Sequence, residues 1–240
     1  MKIKTKNFRK VIGISVIFVV LLGLYSATRS ELLDVDKIDV LITGGDKISS
    51  NEVVALSKIS LSQSMISVDS NKAESLILMN PWVDEVQINK EWPSSISIWV
   101  SLREAFAYAV TLDGKFATID ANGVVLELYK LDSSNDFVGL LVEKLADPGS
   151  KIVGIEMLLR AARSISPDLQ QWIKIISPTA SGVRAELYGS VFVDLGVSED
   201  FTAAMSDLKA VLGQVELMCI QSIDVSVREN PIIERDGSKC

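Results

Sequence analysis

Residues 81–102 read PWVDEVQINKEWPSSISIWVSL, and this stretch decides the fold. Ile96, Ile98, Val100 and Leu102 alternate with Ser95, Ser97, Trp99 and Ser101. Successive side chains of a strand leave opposite faces, so this period of two makes one face core. Trp99 lies on the other face and calls for a helix or neighbouring element to cover it. A second strand precedes this one, and Glu91-Trp92-Pro93 lies between them. Proline suits that junction, since its ring fixes φ and it has no N–H to place in a ladder.

Upstream, Pro81 closes a helix that starts near Asp69 or Ser70 and carries Ala73, Leu76 and Ile77, because the residue before a proline is biased away from helix. Farther back, Ser49 stands three residues before Glu52. That is capping-box spacing, in which each side chain satisfies a free N–H at the helix start. Val53, Leu56 and Ile59 follow on this helix or its exit. A short apolar strand, Ile38 to Ile42, runs into Gly44-Gly45. The order β-α-α-β-β defines an α+β unit over residues 35–104.

Downstream, residues 105–230 read as a mainly antiparallel β domain with two helices. Asp113-Gly114 and Asn122-Gly123 are tight-turn signals. They join strands Ala105–Leu112, Phe116–Asp120 and Val124–Tyr129 into a meander. A helix over Gly154–Ser164 places Ile155, Leu158, Leu159 and Ala162 on one face. Strands follow at Trp172–Ser177, Val183–Tyr188 and Val191–Leu195. Ser198 is positioned to cap a second helix with a stripe of Phe201, Met205, Leu208 and Val211, closed by Gly213. Ser222–Val227 is the last strand, and residues 231–240 read as a polar C-terminal tail.

The N-terminus has a different character. Residues 1–10 carry Lys2, Lys4, Lys6, Arg9 and Lys10 and no acid, and residues 11–28 carry no charge. Eighteen helical residues rise roughly 27 Å, close to the hydrocarbon thickness of a bilayer. The expectation is a cytoplasmic basic tail over 1–10, a transmembrane helix over 11–28, and the bulk of the chain outside. Ser26-Ala27-Thr28 could serve a signal peptidase, but the apolar run exceeds the usual signal-peptide core. Removing the five basic groups of the tail from 24 leaves 19 against 31 acidic side chains, a net of −12. Such an acidic body is unsuited to nucleic acid, whose binding needs a basic surface.

Catalytic signals are sparse. The chain has no histidine, which removes His-based nucleophile systems and His-ligated zinc. Ser206 and Lys209 form S-x-x-K, but they fall on the polar side of an amphipathic helix, without the accompanying S-D-N or K-T-G. Asp120-Ala121-Asn122-Gly123 resembles half a calcium loop, yet Leu131 stands where the bidentate Glu belongs. Trp82, Trp92, Trp99 and Trp172 read as core or strand cover, and Asp84-Glu85 as solvated edge residues. No phosphate loop is present. The expectation is a protein that is not an enzyme, with no cofactor and no small-molecule substrate. Cys219 and Cys240 could pair in an oxidising compartment, but nothing in the sequence requires it.

The segment Pro81–Pro93, with its P-W-V opening, its W-P and the alternating strand after it, resembles the bacterial cell-division family FtsQ/DivIB. Val40-x-Ile42-x-Gly44 with the Ser49/Glu52 helix start resembles the opening of that family's POTRA domain. Phe116–Val125, Tyr188–Gly196 and Ile223–Ile233 resemble its later hairpin and closing strands. The chain departs in having Arg103-Glu104 where the family commonly has Glu-Arg, Phe106 in place of a proline, and Ser226 where an Arg is frequent. The resemblance implies a membrane-anchored division scaffold at the septum that binds FtsB/DivIC- and FtsL-type partners outside the cytoplasm. It points to the C-terminal strand region, hence Ser226, Val227, Arg228, Glu229 and Asn230, as the partner-binding residues. An anchored cell-wall enzyme and a POTRA-bearing transport or chaperone component are the alternatives.

Overall fold

The computed structural model describes residues 15–22, 31–129 and 137–237. The chain divides into two compact units, Met1–Leu102 and Arg103–Cys240. Residues 15–22 are helical, and Val16 to Leu22 all expose about half or more of their surface. The basic tail and the rest of the 11–28 segment lie outside the described residues. Among the described residues no helix is long and apolar enough to cross a membrane.

The first unit contains β1 (Lys37–Thr43), α1 (Ser50–Ser57), α2 (Ser70–Ile77), β2 (Val83–Glu91) and β3 (Ser95–Leu102). β3 is central, parallel to β1 and antiparallel to β2. Its alternation places Ile96, Ile98, Val100 and Leu102 in a core with Val53, Met65, Ala73 and Ile77. Both helices are capped as their sequences specify. Ser49 and Glu52 form the reciprocal capping box, and Asp69 accepts from the Lys72 N–H. The Ser49 N–H and hydroxyl together hold the Glu52 carboxyl below its ordinary pKa. Gly44 is required by geometry: its φ is +90°, and a Cβ there would lie 2.7 Å from the Leu102 carbonyl oxygen. Of the two covers expected for Trp99, a helix or a neighbouring element, it has the second and is half-buried. The helices cover the opposite face, and Trp99 is flanked in the sheet by Leu41 and Gln87.

The second unit is a nine-stranded sheet. Its strands are β4 (Ala107–Val110), β5 (Phe116–Ile119), β6 (Val125–Tyr129), β7 (Gly139–Leu141), β8 (Ile173–Thr179), β9 (Gly182–Leu187), β10 (Phe192–Gly196), β11 (Ile220–Asp224) and β12 (Ile232–Arg235). They lie in the order β12-β11-β10-β9-β8-β7-β4-β5-β6. Pairing is mainly antiparallel, with β4–β7, β7–β8 and β10–β11 parallel. One core joins the sheet to α3 (Glu156–Arg163), α4 (Pro167–Gln170) and α5 (Thr202–Leu212).

Three features depart from the sequence expectation. A short helix at Pro167–Gln170 makes three helices in this unit rather than two; Pro167 opens it, since the first helical turn needs no proline N–H. β7 joins the β4–β6 meander to β8, and its three residues are too short to show a period. Ser198 does not cap α5. Its hydroxyl accepts from the Asp200 N–H, and Asp200 in turn accepts from the N–H and hydroxyl of Thr202, the first residue of the helix.

Candidate partner-binding site

The last expected strand, Ser222–Val227, is cut short at Asp224. Ile223 and Val225 are buried, as the alternation requires, and a register shift between Ile220 and Ser222 lets Ile220 be buried as well. The Asp224 Oδ1 then accepts from the Ser226 N–H at 2.8 Å, a side-chain turn that competes with continued pairing. Ser226, Val227, Arg228, Glu229 and Asn230 therefore form an exposed turn rather than an edge strand. The turn is fixed to its surroundings. A Cβ on Gly196 would approach the Ser226 Cβ to 2.9 Å, so Ser226 sits directly against that glycine. Glu229 adopts φ +58° and donates its N–H to Asp207 Oδ2 on α5 at 3.1 Å. The Asp200 carboxyl is held below its ordinary pKa by the hydroxyl and N–H of Thr202, with a smaller contribution from the Arg228 charge. Val227, 57% exposed, is the apolar member of the group.

Beyond Pro231 the segment read as tail contains β12, which pairs antiparallel with β11 and forms one edge of the sheet. Ile232 and Ile233 are β-branched and suit a strand. The signal was hidden because only two apolar residues stand between a proline and the charges of Glu234 and Arg235. The Asp236 N–H donates to the Cys219 carbonyl at 3.0 Å and so points toward β11. Alternation along the strand then turns the N–H groups of Glu234 and Ile232 inward and those of Ile233 and Arg235 outward. Ser222 donates to Glu234 Oε2 at 2.9 Å across the pair. One sheet neighbour of Ser222 is Phe192, with the Arg184 guanidinium 5.7 Å from its ring centroid. Arg184 is also paired with Asp194 at 2.7 Å.

An open groove of about 460 Å³ adjoins the β12 edge, lined by Gln214, Val215, Glu216, Cys219, Ile220, Ile233 and Arg235. Cys219 is disulfide-bonded. The edge thus combines outward backbone donors, an exposed Ile232 and a mainly polar groove that also includes Val215 and Ile233. That arrangement is suited to holding an extended peptide: the backbone supplies bonds and the groove admits alternate side chains.

The remaining candidates occupy other places. Lys209 pairs with Asp168 at 2.5 Å, which holds the Asp168 carboxyl below its ordinary pKa. The S-x-x-K lysine is therefore engaged by α4, and Ser206 is exposed. Asp120 serves its own turn, accepting from the N–H groups of Asn122 and Val124. Among the described residues no group of His, Cys, Asp and Glu is placed to hold a metal. Trp82 lies 4.9 Å beneath the Lys47 ammonium, while Trp92 and Trp172 remain partly exposed.

A three-stranded β-α-α-β-β unit followed by a large mainly antiparallel sheet with an open C-terminal edge defines a POTRA-bearing protein of α+β class. The family described as "POTRA domain, FtsQ-type" matches residues 39–101. A cell division protein DivIB from Clostridium botulinum is 24% identical over 245 residues, covering 96% of this chain and 93% of that protein. A cell division protein FtsQ from Corynebacterium glutamicum is 31% identical over 113 residues, 47% of this chain and 49% of the relative. A DivIB from Clostridium acetobutylicum is 29% identical over 99 residues, 41% of this chain and 39% of the relative. These last two alignments span half or less of the relatives' length. The chain thus carries an FtsQ-type POTRA domain over residues 39–101 and is similar along most of its length to a cell division protein of the FtsQ/DivIB type.

Proposed function

We propose that this protein is a non-enzymatic scaffold of the division machinery, anchored by residues 11–28, with both units outside the cytoplasm at the septum. Its β12 edge receives an extended segment of an FtsB/DivIC-type partner, which brings an FtsL-type subunit with it. The observation that carries the reading is the position of β12 at the edge of the sheet, with no strand on its outer side among the described residues, beside the groove lined by Ile220, Ile233 and Arg235. The division relatives supply the process, and the basic tail with the uncharged run after it supports the anchor. The turn Ser226–Asn230 flanks the start of β12 and contributes rim contacts.

The test is co-purification of the full-length chain with an FtsB/DivIC-type subunit from the same cells. Arg235→Pro removes one outward N–H without touching the inward bonds to β11, and edge strands tolerate proline on the solvent side. Capture should fall at least about tenfold for Arg235→Pro and stay near normal for Arg235→Ala. Equal capture by both would exclude strand addition at this edge. A fluorescent fusion that fails to form a midcell band would exclude the division role.

A further inference from the structure

We propose that one end of the first unit docks on the lipid surface of the bilayer that holds the anchor, through Leu32, Ile66 and Trp92. The inference rests on the reading of residues 11–28 as that anchor. In the sequence three residues separate Thr28 from Leu32. Four residue steps span at most about 14 Å. The headgroup layer on each side of the hydrocarbon is itself about 5–8 Å deep. The tether therefore confines Leu32 to the neighbourhood of the membrane surface.

The topology brings the other two residues to the same end. β1 and β3 run parallel from the Lys37–Ser95 pair, so the start of β1 and the β2–β3 turn that holds Trp92 lie together. Asp34 stands opposite Ser64 in an antiparallel bridge, and the Met65 N–H donates to the Leu33 carbonyl at 2.8 Å. Two residues outward from that bridge on each side are Leu32 and Ile66. The Asp36 N–H donates to the Ser94 carbonyl at 2.8 Å, and Lys90 Nζ donates to the Met65 carbonyl at 2.8 Å. All three segments are thus tied together in advance, and docking has little left to order. Val35 and Met65 are fully buried, whereas Leu32, Trp92 and Ile66 expose 77%, 57% and 53% of their surface. The patch is the outward side of a packed end rather than a gap in the core.

The residue types suit a lipid surface. A tryptophan ring buries its apolar body at the acyl boundary while its N–H stays among the headgroups. Leucine and isoleucine beside it leave water in the same step. The surrounding charges set the depth. These segments carry Glu31, Asp34, Asp36 and Glu91 against Lys37 and Lys90. Carboxylates resist deep insertion and are repelled by anionic lipid, but they can face the ammonium groups of zwitterionic headgroups. The contact is therefore shallow and driven by apolar transfer, and its occupant is a zwitterionic lipid surface. Its effect is to hold the first unit against the membrane instead of leaving it to swing on its tether.

The experiment holds the full-length chain in nanodiscs of phosphatidylcholine, plain or brominated on the acyl chains, and reads tryptophan fluorescence. Subtracting the Trp92→Phe variant isolates Trp92 from Trp82, Trp99 and Trp172. Bromines close to the headgroup should quench Trp92 about threefold or more, and bromines near the bilayer centre should quench it little. In the Leu32→Asn/Ile66→Asn variant the quenching should fall to less than about half, with hydrogen exchange at the β3 amides unchanged, because both side chains are exposed. A disc-bound chain whose Trp92 is unquenched, or whose quenching survives the double substitution, would overturn the docking and leave the anchor reading in place. A Trp92 that lipid does not quench but that the FtsB/DivIC-type subunit shields from aqueous iodide would overturn it too, and would assign the patch to a protein. A chain that the discs fail to retain overturns the anchor reading and the docking together.

Discussion

Arg103 Nη1 lies 2.9 Å from Asp120 Oδ2, and the Asp120 carboxylate is almost fully buried. Its other oxygen accepts from the N–H groups of Asn122 and Val124, at 2.8 Å each. One carboxylate therefore closes the β5–β6 turn and anchors the first residue of the second unit. The same turn is packed from behind by α3. Gly123 has φ +81°, and a Cβ there would lie 2.8 Å from Ile155 Cγ2. Arg163 donates to the Ala121 carbonyl.

Asp120→Ala should destabilise the second unit by about 2–4 kcal/mol, because it strands two N–H groups and removes a nearly buried ion pair with Arg103. Gly123→Ala should cost about 1–3 kcal/mol through backbone strain and overpacking. Both are measured by hydrogen exchange at the Phe106 amide, which donates to Ile119 in the adjoining pair. Changes under about 0.5 kcal/mol for Asp120→Ala would refute this account of the turn.

A backbone contrast probes β12 itself. Glu234→Pro deletes an N–H that points toward β11, whereas Arg235→Pro deletes one that points away. Exchange at the β11 amides facing β12 should accelerate strongly in the first variant and little in the second. A reversed order would mean that the inward and outward faces have been misassigned.

Val227→Asp tests the turn. The side chain is 57% exposed, so stability should change by less than about 0.5 kcal/mol. If the turn forms the rim of the partner surface, capture weakens by a factor of about three to thirty. Arg228→Glu should also lower capture, by removing the charge that faces Asp200. Normal capture by both variants would confine the interface to β12 and its groove.

Topology is read with a membrane-impermeant maleimide on intact cells. With Cys219 in a disulfide, its sulfur should be labelled only after an impermeant reductant is added, and then without breaching the membrane. Labelling that requires permeabilised cells even after reduction would reverse the orientation.

Ser206→Ala should leave growth, cell shape and protein abundance unchanged. The serine is exposed, and the lysine three residues on is held by Asp168. A cell-wall synthesis defect in a stably accumulated Ser206→Ala protein would revive the enzyme alternative.

The sequence by itself determined those elements whose pattern is local and repeated. The period of two in Ser95–Leu102, the Ser49/Glu52 box and the stripe Phe201, Met205, Leu208 and Val211 each encode a face that must be buried. Tertiary structure decided what local pattern cannot carry. β7 is a strand only because β4 and β8 flank it with matching ladders. Trp99 is covered by strand neighbours and not by a helix, because both helices lie on the opposite, more apolar face. The strand through Val227 ended early because the Asp224 side chain captured the Ser226 N–H. β12 emerged from a stretch read as tail because β11 offered an unpaired side within reach of a tight turn. Residues 226–230 were legible in the sequence as a neighbourhood, but their turn and the β12 edge beside them were not: which backbone groups face outward follows from register, and register is a property of two strands together.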